Sequence, residues 1–443
     1  MNLIKNLYLH NRFYYYIATV SILFLLSVWL PVLYTIAWIV VCVFSVLILF
    51  DVWVLFRPSR GITAQRLLPE KFSNSDQNQV PVHVRSAYPF EVQLSIIDEL
   101  PVQFQKRDFR YQLRLNPYTS TTFEYGVTPL ERGAYHFGSL LVFASTRLKI
   151  VARRYRFESD KMVAVYPSFI QMRKYEFLAM SNRLTEVGLK KIRRIGHTME
   201  FEQIKNYVPG DDVRTINWKA TAKRAALMVN QYQDEKSQPI YSIIDTGRVM
   251  KMPFEGLKLL DYAINASLAF SNIALLKNDR AGLLTFSKKV DQLIPASGKK
   301  THLTTLNEAL YRIDTQFTDA NYSYLFATIK RKITQRSLLI LYTNFEHISA
   351  LKRQLAYLSA ISKQHLLVVV FFENTELDSL LHTAAEDLQG VYHKTIAEKF
   401  AYEKRLIVKE LESRGIHAIL TKPAQLSVQV INKYLEFKSK GLI

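Results

Sequence analysis

Hydrophobic and polar positions follow distinct rhythms along this chain. From Phe13 to Phe56 the sequence FYYYIATVSILFLLSVWLPVLYTIAWIVVCVFSVLILFDVWVLF is apolar almost throughout, with Asp51 its only charged residue. One membrane-crossing helix needs roughly 20 such residues, so the run predicts two. Pro31 stands near the middle, where it can end one helix and start the next. The expected helices run from about Arg12 to Leu30 and from about Val32 to Phe56, as a transmembrane helical hairpin over residues 1–60. Lys5 and Arg12 precede the run, and Arg57 and Arg60 follow it. Basic flanks at both ends predict a two-pass anchor in the cytoplasmic (inner) membrane with both termini cytoplasmic. Trp29 and Trp53 fall near the helix ends, where interfacial anchors sit. The stretch is too long for a cleaved signal peptide.

From Gly61 to about residue 170 the rhythm changes to strict alternation. VPVHVRS, FEVQLSI, FRYQLRL and TTFEYGV each place apolar residues at every second position, as half-buried strands do. RGAYHFGSLLVF continues the pattern, with Gly133 and Gly138 at turn or bulge positions. The expectation is an antiparallel β-sandwich-like unit that acts as a spacer or interaction module. Residues 171–237 form a linker region. After Gln238 continuously apolar segments alternate with helical ones: IYSIIDTG, RAGLLTFS, SLLILYTN, LLVVVFFE and HAILTKP, with VDQLIPA pairing to the second. Such strands predict a largely parallel sheet covered on both faces, so the class of residues 238–443 is α/β, doubly wound. Helices are expected at Phe254–Asn278, Thr301–Ile313, Tyr322–Ile333, Ser349–Lys363, Glu376–Arg414 and Gln425–Lys438.

Composition narrows the function. Net charge is +20 over 443 residues, which favours an anionic neighbour such as the inner leaflet or a nucleic acid. LKKIRRIGH, Leu189–His197, is the densest basic stretch, and such runs are more often solvated surface than a site. The single cysteine, Cys42, lies in the apolar run, so no intrachain disulfide can form. SGKKT has Leu293 where a phosphate loop needs its first glycine, and no GxGxxG, HExxH or GxSxG motif supplies enzyme chemistry. The chain is therefore read as a non-enzyme.

In a parallel sheet, ligands meet the carboxyl ends of the strands. Asp245 and Thr246, the SGKKTH loop, Thr343 and Asn344 are the residues to look for there. NYVPGDDVRTINWKATAKR, Asn206–Arg224, is the other concentrated stretch. Pro209–Gly210 makes a turn, and Asp211 or Asp212 can cap a helix. Arg214 can pair with one acid, and Trp218 offers an apolar anchor. The set could order a connection between domains or face a partner.

Glu200–Glu235, EFEQIKNYVPGDDVRTINWKATAKRAALMVNQYQDE, resembles the signature of the family named domain of unknown function 58. ERGAYHFGSLLV and MVAVYPSF resemble the region that precedes it, and the likeness extends over most of the chain. The resemblance implies a bacterial or archaeal membrane-anchored cytoplasmic protein whose last half is a von Willebrand factor type A-like (Rossmann-like) sheet. It implies a scaffold or adaptor for protein partners, acting with a MoxR-type AAA+ ATPase on client proteins during assembly or maturation. Tyr207, Gly210, Asp211, Asp212, Arg214 and Trp218 match the signature and become candidates for partner contact. The resemblance also brings a possible Mg2+ site. Here Asp245 matches its first acid and Thr301 its threonine, but Gly247 and Val249 replace two serines and Asn344 a later acid. That set is degenerate for a hard cation, and no cofactor is expected. The alternatives are a basic surface that binds anionic lipid or nucleic acid, and a hydrolase hidden in the sheet crevice.

Overall fold

The apolar run folds as two helices, preceded by a short strand. β1 (Leu7–Leu9) leads into α1 (Asn11–Leu26), and α2 covers Val32–Phe56. These coordinates come from a computed structural model that describes residues 5–106, 108–157, 160–180, 200–233, 237–254, 256–374 and 387–443. α1 stops at Leu26 rather than Leu30 because the next residues close turns. Ser27 Oγ donates to Phe24 O at 2.6 Å, and Trp29 N to Leu26 O at 3.1 Å. Pro31 takes the N-cap place of α2, where a missing N–H leaves no bond broken. The helices touch through Tyr16 on Phe44 (ring centroids 4.7 Å) and Phe24 on Trp38 (5.9 Å), around a fully buried Ala37. α2 is long and apolar enough to cross a membrane. The helix at Leu259–Leu276 is too, but it is packed inside its own unit as a core helix.

The chain forms two compact units, Met1–Tyr166 and Pro167–Ile443. In the first, alternation becomes strands: β2 (Ile62–Arg66), β3 (Lys71–Ser73), β4 (Asn78–Ser86), β5 (Val92–Asp98) and β6 (Arg110–Leu115). They continue with β7 (Ser120–Val127), β8 (Gly133–Phe137), β9 (Leu140–Ser145), β10 (Val151–Phe157) and β11 (Lys161–Tyr166). The sheets run β1-β10-β9-β5-β6, β2-β4-β7 and β3-β11-β8. Every pair is antiparallel except β3 with β11, a departure from the all-antiparallel expectation. Val80, Val82 and Val84 of one sheet share a core with Leu94, Ile96 and Val142 of another. Within that core Arg66 is ion-paired to Asp98, whose other oxygen accepts from Tyr125.

The base of α2 is built into this unit. Asp51 is buried, with Oδ1 accepting from Thr146 Oγ1 (2.5 Å) and Oδ2 from Val151 N (3.1 Å). One turn on, Leu55 O accepts from Tyr88 OH (2.8 Å) and Arg153 Nη1 (2.9 Å). β1 pairs with β10 over Leu7–Leu9, so the chain entering α1 is held by the same strand. Both ends of the helix pair therefore start from one side of one β unit.

The second unit opens with α3 (Phe169–Met180) and an antiparallel ribbon, β12 (Glu200–Asn206) with β13 (Met228–Gln233), whose connection contains α4 (Trp218–Arg224). The sheet follows: β14 (Pro239–Asp245), the small ladder β15 (Pro253–Phe254) with β16 (Leu257–Lys258), then α5 (Leu259–Leu276), β17 (Arg280–Phe286) and β18 (Val290–Ser297). After α6 (His302–Tyr311) and α7 (Tyr322–Lys332) come β19 (Leu338–Tyr342), α8 (Ile348–Ser362), β20 (Leu366–Phe372), α9 (Leu388–Ser413), β21 (His417–Thr421) and α10 (Leu426–Ser439). α5 begins later than the pattern predicts because Pro253–Phe254 and Leu257–Lys258 form the ladder. The first part of the helix expected from Glu376 lies outside the described residues.

Strand order is β18-β17-β14-β19-β20-β21, all parallel except the edge strand β18. One face packs Ile240 and Ile244 against Ala263, Leu310 and Tyr434 of α5, α6 and α10. The other packs Tyr241 and Ile243 against Leu325, Leu355 and Leu411 of α7, α8 and α9. Strands buried on both faces are apolar at most positions, which is why the period-two signal vanishes here. Order reverses between β14 and β19, the place where doubly wound sheets open a crevice.

Candidate functional site

Asp245 ends β14 at that reversal and is 1% exposed. Oδ1 accepts from Gly247 N at 2.8 Å and Oδ2 from Thr343 Oγ1 at 2.8 Å. Thr343 Oγ1 also meets Tyr322 OH at 2.9 Å. Gly247 is required by space, since a Cβ there would lie 2.9 Å from Asp245 Oδ1 and 3.0 Å from Thr318 O. Burial is the main influence on the carboxyl and pushes it up to about 6, against the hydrogen bonds that favour its charge. A hydroxyl beside a carboxylate has the form of a nucleophile and base. Thr343 is fully buried, however, with its hydroxyl against Tyr322 OH.

Thr301 does not join this group. β18 runs antiparallel, and Ser297 pairs with Ala281 at the amino end of β17. The SGKKTH loop thus leaves the sheet at the edge opposite Asp245. Asn344 does lie at the carboxyl edge, but its Oδ1 accepts from Lys404 Nζ at 2.7 Å. With Lys404 beside Asn344 and Thr301 at the far edge, Asp245 is left alone of the expected ligands at the crevice, too few for a divalent metal. Among the described residues no three His, Cys, Asp or Glu side chains are placed to hold a metal ion together.

Beside Asn344 a cavity of about 670 Å3 opens between the ends of β19, β20 and β21 and the flank of α9. Phe254, Phe372, Phe400 and Leu420 give it apolar walls, while Lys404, Arg405, Glu346 and Glu373 supply charge. Lys404 also donates to Phe345 O at 2.7 Å. Burial lowers its amine to about 8, with Glu346 pulling the other way. His347 Nδ1 meets Glu403 Oε2 at 3.0 Å. Periodicity places Lys404 on a helix but cannot show that it faces this crevice, so the sequence reading missed it.

The signature stretch forms the connection of the β12–β13 ribbon. Gly210 has φ +111°, a conformation side chains avoid. Asp211 accepts from Val208 N and Lys205 Nζ, both at 3.0 Å, and these bonds hold its carboxyl below the usual range. Asp212 caps the following turn through Arg214 N at 3.0 Å. The expected pairing of Arg214 with an acid is therefore replaced: Lys205 takes Asp211, and Asp212 takes the Arg214 backbone. Asn217 caps α4 through Ala220 N and holds Asn230 Oδ1 at 2.8 Å. Tyr207 is tied through its backbone N–H to Leu227 O. Trp218 is 70% exposed, so it anchors nothing in the ribbon. The stretch is ordered by its own turns and presents Val208, Val213 and Trp218 outward.

Residues 203–381 match the family described as protein of unknown function DUF58. The uncharacterized protein YeaD of Bacillus subtilis (strain 168) is 27% identical over 264 residues, 57% of this chain and 63% of that protein. The match thus spans less than two thirds of the relative. Both findings support the DUF58 family. Among solved structures, the conserved hypothetical protein BatB of Bacteroides thetaiotaomicron is 10% identical, with TM-score 0.29, over 46% of this chain and all of that one. A PapD-like domain of human CEP192 is 9% identical, with TM-score 0.19, over 24% of this chain and 83% of that one. At these scores neither likeness bears on the DUF58 segment's function. The matched DUF58 residues include most of the ribbon, Asp245, Thr343 and Asn344. The basic run Leu189–His197 lies outside the described residues.

Proposed function

We propose that this chain is a membrane-tethered adaptor of the cytoplasmic face, with a von Willebrand factor type A-like module that docks protein partners. The observation that carries the reading is the seating of the helix pair. Asp51 and Leu55 fix the end of α2, and β1 fixes the start of α1, in one β unit. Outward residues such as Val46 (65% exposed) and Leu49 (69%) have no protein cover. From Val32 to Phe50 the helix rises roughly 28 Å at ~1.5 Å per residue, close to the ~30 Å of a bilayer's hydrocarbon. The type A-like assignment rests on the strand order and on the acid at the reversal point. The cavity beside Lys404 and the exposed ribbon around Trp218 are the surfaces offered to a partner.

The partner proposed is an AAA+ ATPase of the MoxR type, together with its client. Purification of the full chain from detergent-solubilised membranes should retain such an ATPase. Trp218→Asp or Phe400→Asp should reduce the retained amount severalfold. Repeated purification without any ATPase, under conditions that keep the chain monodisperse, contradicts the adaptor reading.

A further inference from the structure

The turn Thr146–Ile150 between β9 and β10 stands at the level where the helices leave the β unit. Asp51 takes Thr146 Oγ1 and Val151 N at its two ends. His10, just before α1, donates its N–H to Ile150 O at 3.0 Å, and Arg12 Nη1 donates to Leu148 O at 3.2 Å. Going along β10 from Val151 to Arg153 leads inward to Leu55, so the turn is the outermost part of this seat.

Its tip is Arg147, Leu148 and Lys149. Arg147 is exposed, and Leu148 shows 39% of its surface although it adjoins a packed core. Lys149 has φ +54°, where glycine would fit with less strain. Asp51, the acid at this turn, is buried with both oxygens already hydrogen-bonded. Burial, then the charges of Lys149, Arg12 and Arg110, hold the His10 imidazole below its ordinary pKa. An exposed leucine between two cations, beside the foot of an uncovered apolar helix, matches the boundary between acyl chains and phosphates.

We propose that this turn is an anionic-phospholipid site: Leu148 enters the headgroup boundary while Arg12, Arg147 and Lys149 hold a lipid phosphate. The site rests on the membrane reading above and adds a lipid class to it. It also sets the height of the β unit on the bilayer, because the turn and Asp51 share one level.

The test uses the full chain in nanodiscs of phosphatidylcholine with phosphatidylglycerol. With Cys42→Ser as background, Leu148→Cys and Val46→Cys each carry a spin label. Both labels should collide with oxygen more than with a water-soluble nickel chelate. Native mass spectrometry of the unlabelled chain should show retained phosphatidylglycerol. That preference should fall roughly fivefold for each of Arg147→Gln and Lys149→Gln, from about 1 kcal/mol per interfacial cation. A Leu148 label in water with a Val46 label in lipid overturns the site and leaves the anchor standing. A Val46 label in water overturns the anchor itself. An unchanged lipid preference in both variants overturns the phosphate contact.

Discussion

Asp211 and Asp245 each accept two hydrogen bonds, yet their carboxyl pKa values are shifted in opposite directions. Each carboxylate accepts one backbone N–H two or three residues away and one side-chain donor. Asp211 lies at the surface of the ribbon, and its carboxyl is lowered by the Val208 N–H and by Lys205. Asp245 lies under Tyr322, and burial raises it to about 6. Hydrogen bonds of equal number do not offset the loss of water around a buried charge. The ribbon's acid is thus a local fastener, while the sheet's acid carries stored cost at the crevice.

The signs follow from linkage. Asp245 has a folded pKa above its unfolded value, near 4. Its contribution to stability is full below about pH 4 and is lost as pH rises through about 6. Asp211 has a lowered folded pKa, so its contribution is present above about pH 4 and lost as pH falls.

The largest effects belong to the buried side of the comparison. Thr343→Val removes the hydroxyl donor of Asp245 and should cost about 2–3 kcal/mol at pH 7.5, less at pH 4.5. Asp245→Asn should stabilise by about 1–2 kcal/mol at pH 7.5 and by nothing at pH 4. Urea midpoints of the full chain in detergent, with hydrogen exchange read over residues 239–245, separate the two. A destabilised Asp245→Asn at pH 7.5 would show that the carboxylate is held by something stronger than these bonds. At the exposed end, Asp211→Asn should leave the urea midpoint where it is and only speed exchange at Val208. A drop comparable to that of Thr343→Val would erase the contrast.

Much of this architecture was legible in residue patterns, for physical reasons. Strands buried on both faces, such as LLILY and LLVVVFF, are apolar at each position, and those of the first unit alternate because one face is wet. Pro31 marked the break between the helices because it lacks an N–H. What stayed hidden depends on distant partners. Asp51 meets Thr146 across 95 residues, and Lys404 meets Asn344 across 60. Thr301 was misplaced because local sequence does not state which way an edge strand runs. Whether Trp218 packs inward or faces outward was hidden too, because an aromatic residue type does not say whether a neighbour covers it.

The central claim is that the helix pair crosses a bilayer and returns to a cytoplasmic β unit. In a Cys42→Ser background, Trp29→Cys lies at the far turn, and Val102→Cys at the other end of the β unit; both native residues are exposed, at 83% and 86%. A membrane-impermeant maleimide applied to intact cells should label Trp29→Cys at once and Val102→Cys only after lysis. Labelling of Val102→Cys in intact cells, or of Trp29→Cys only after lysis, would contradict the account.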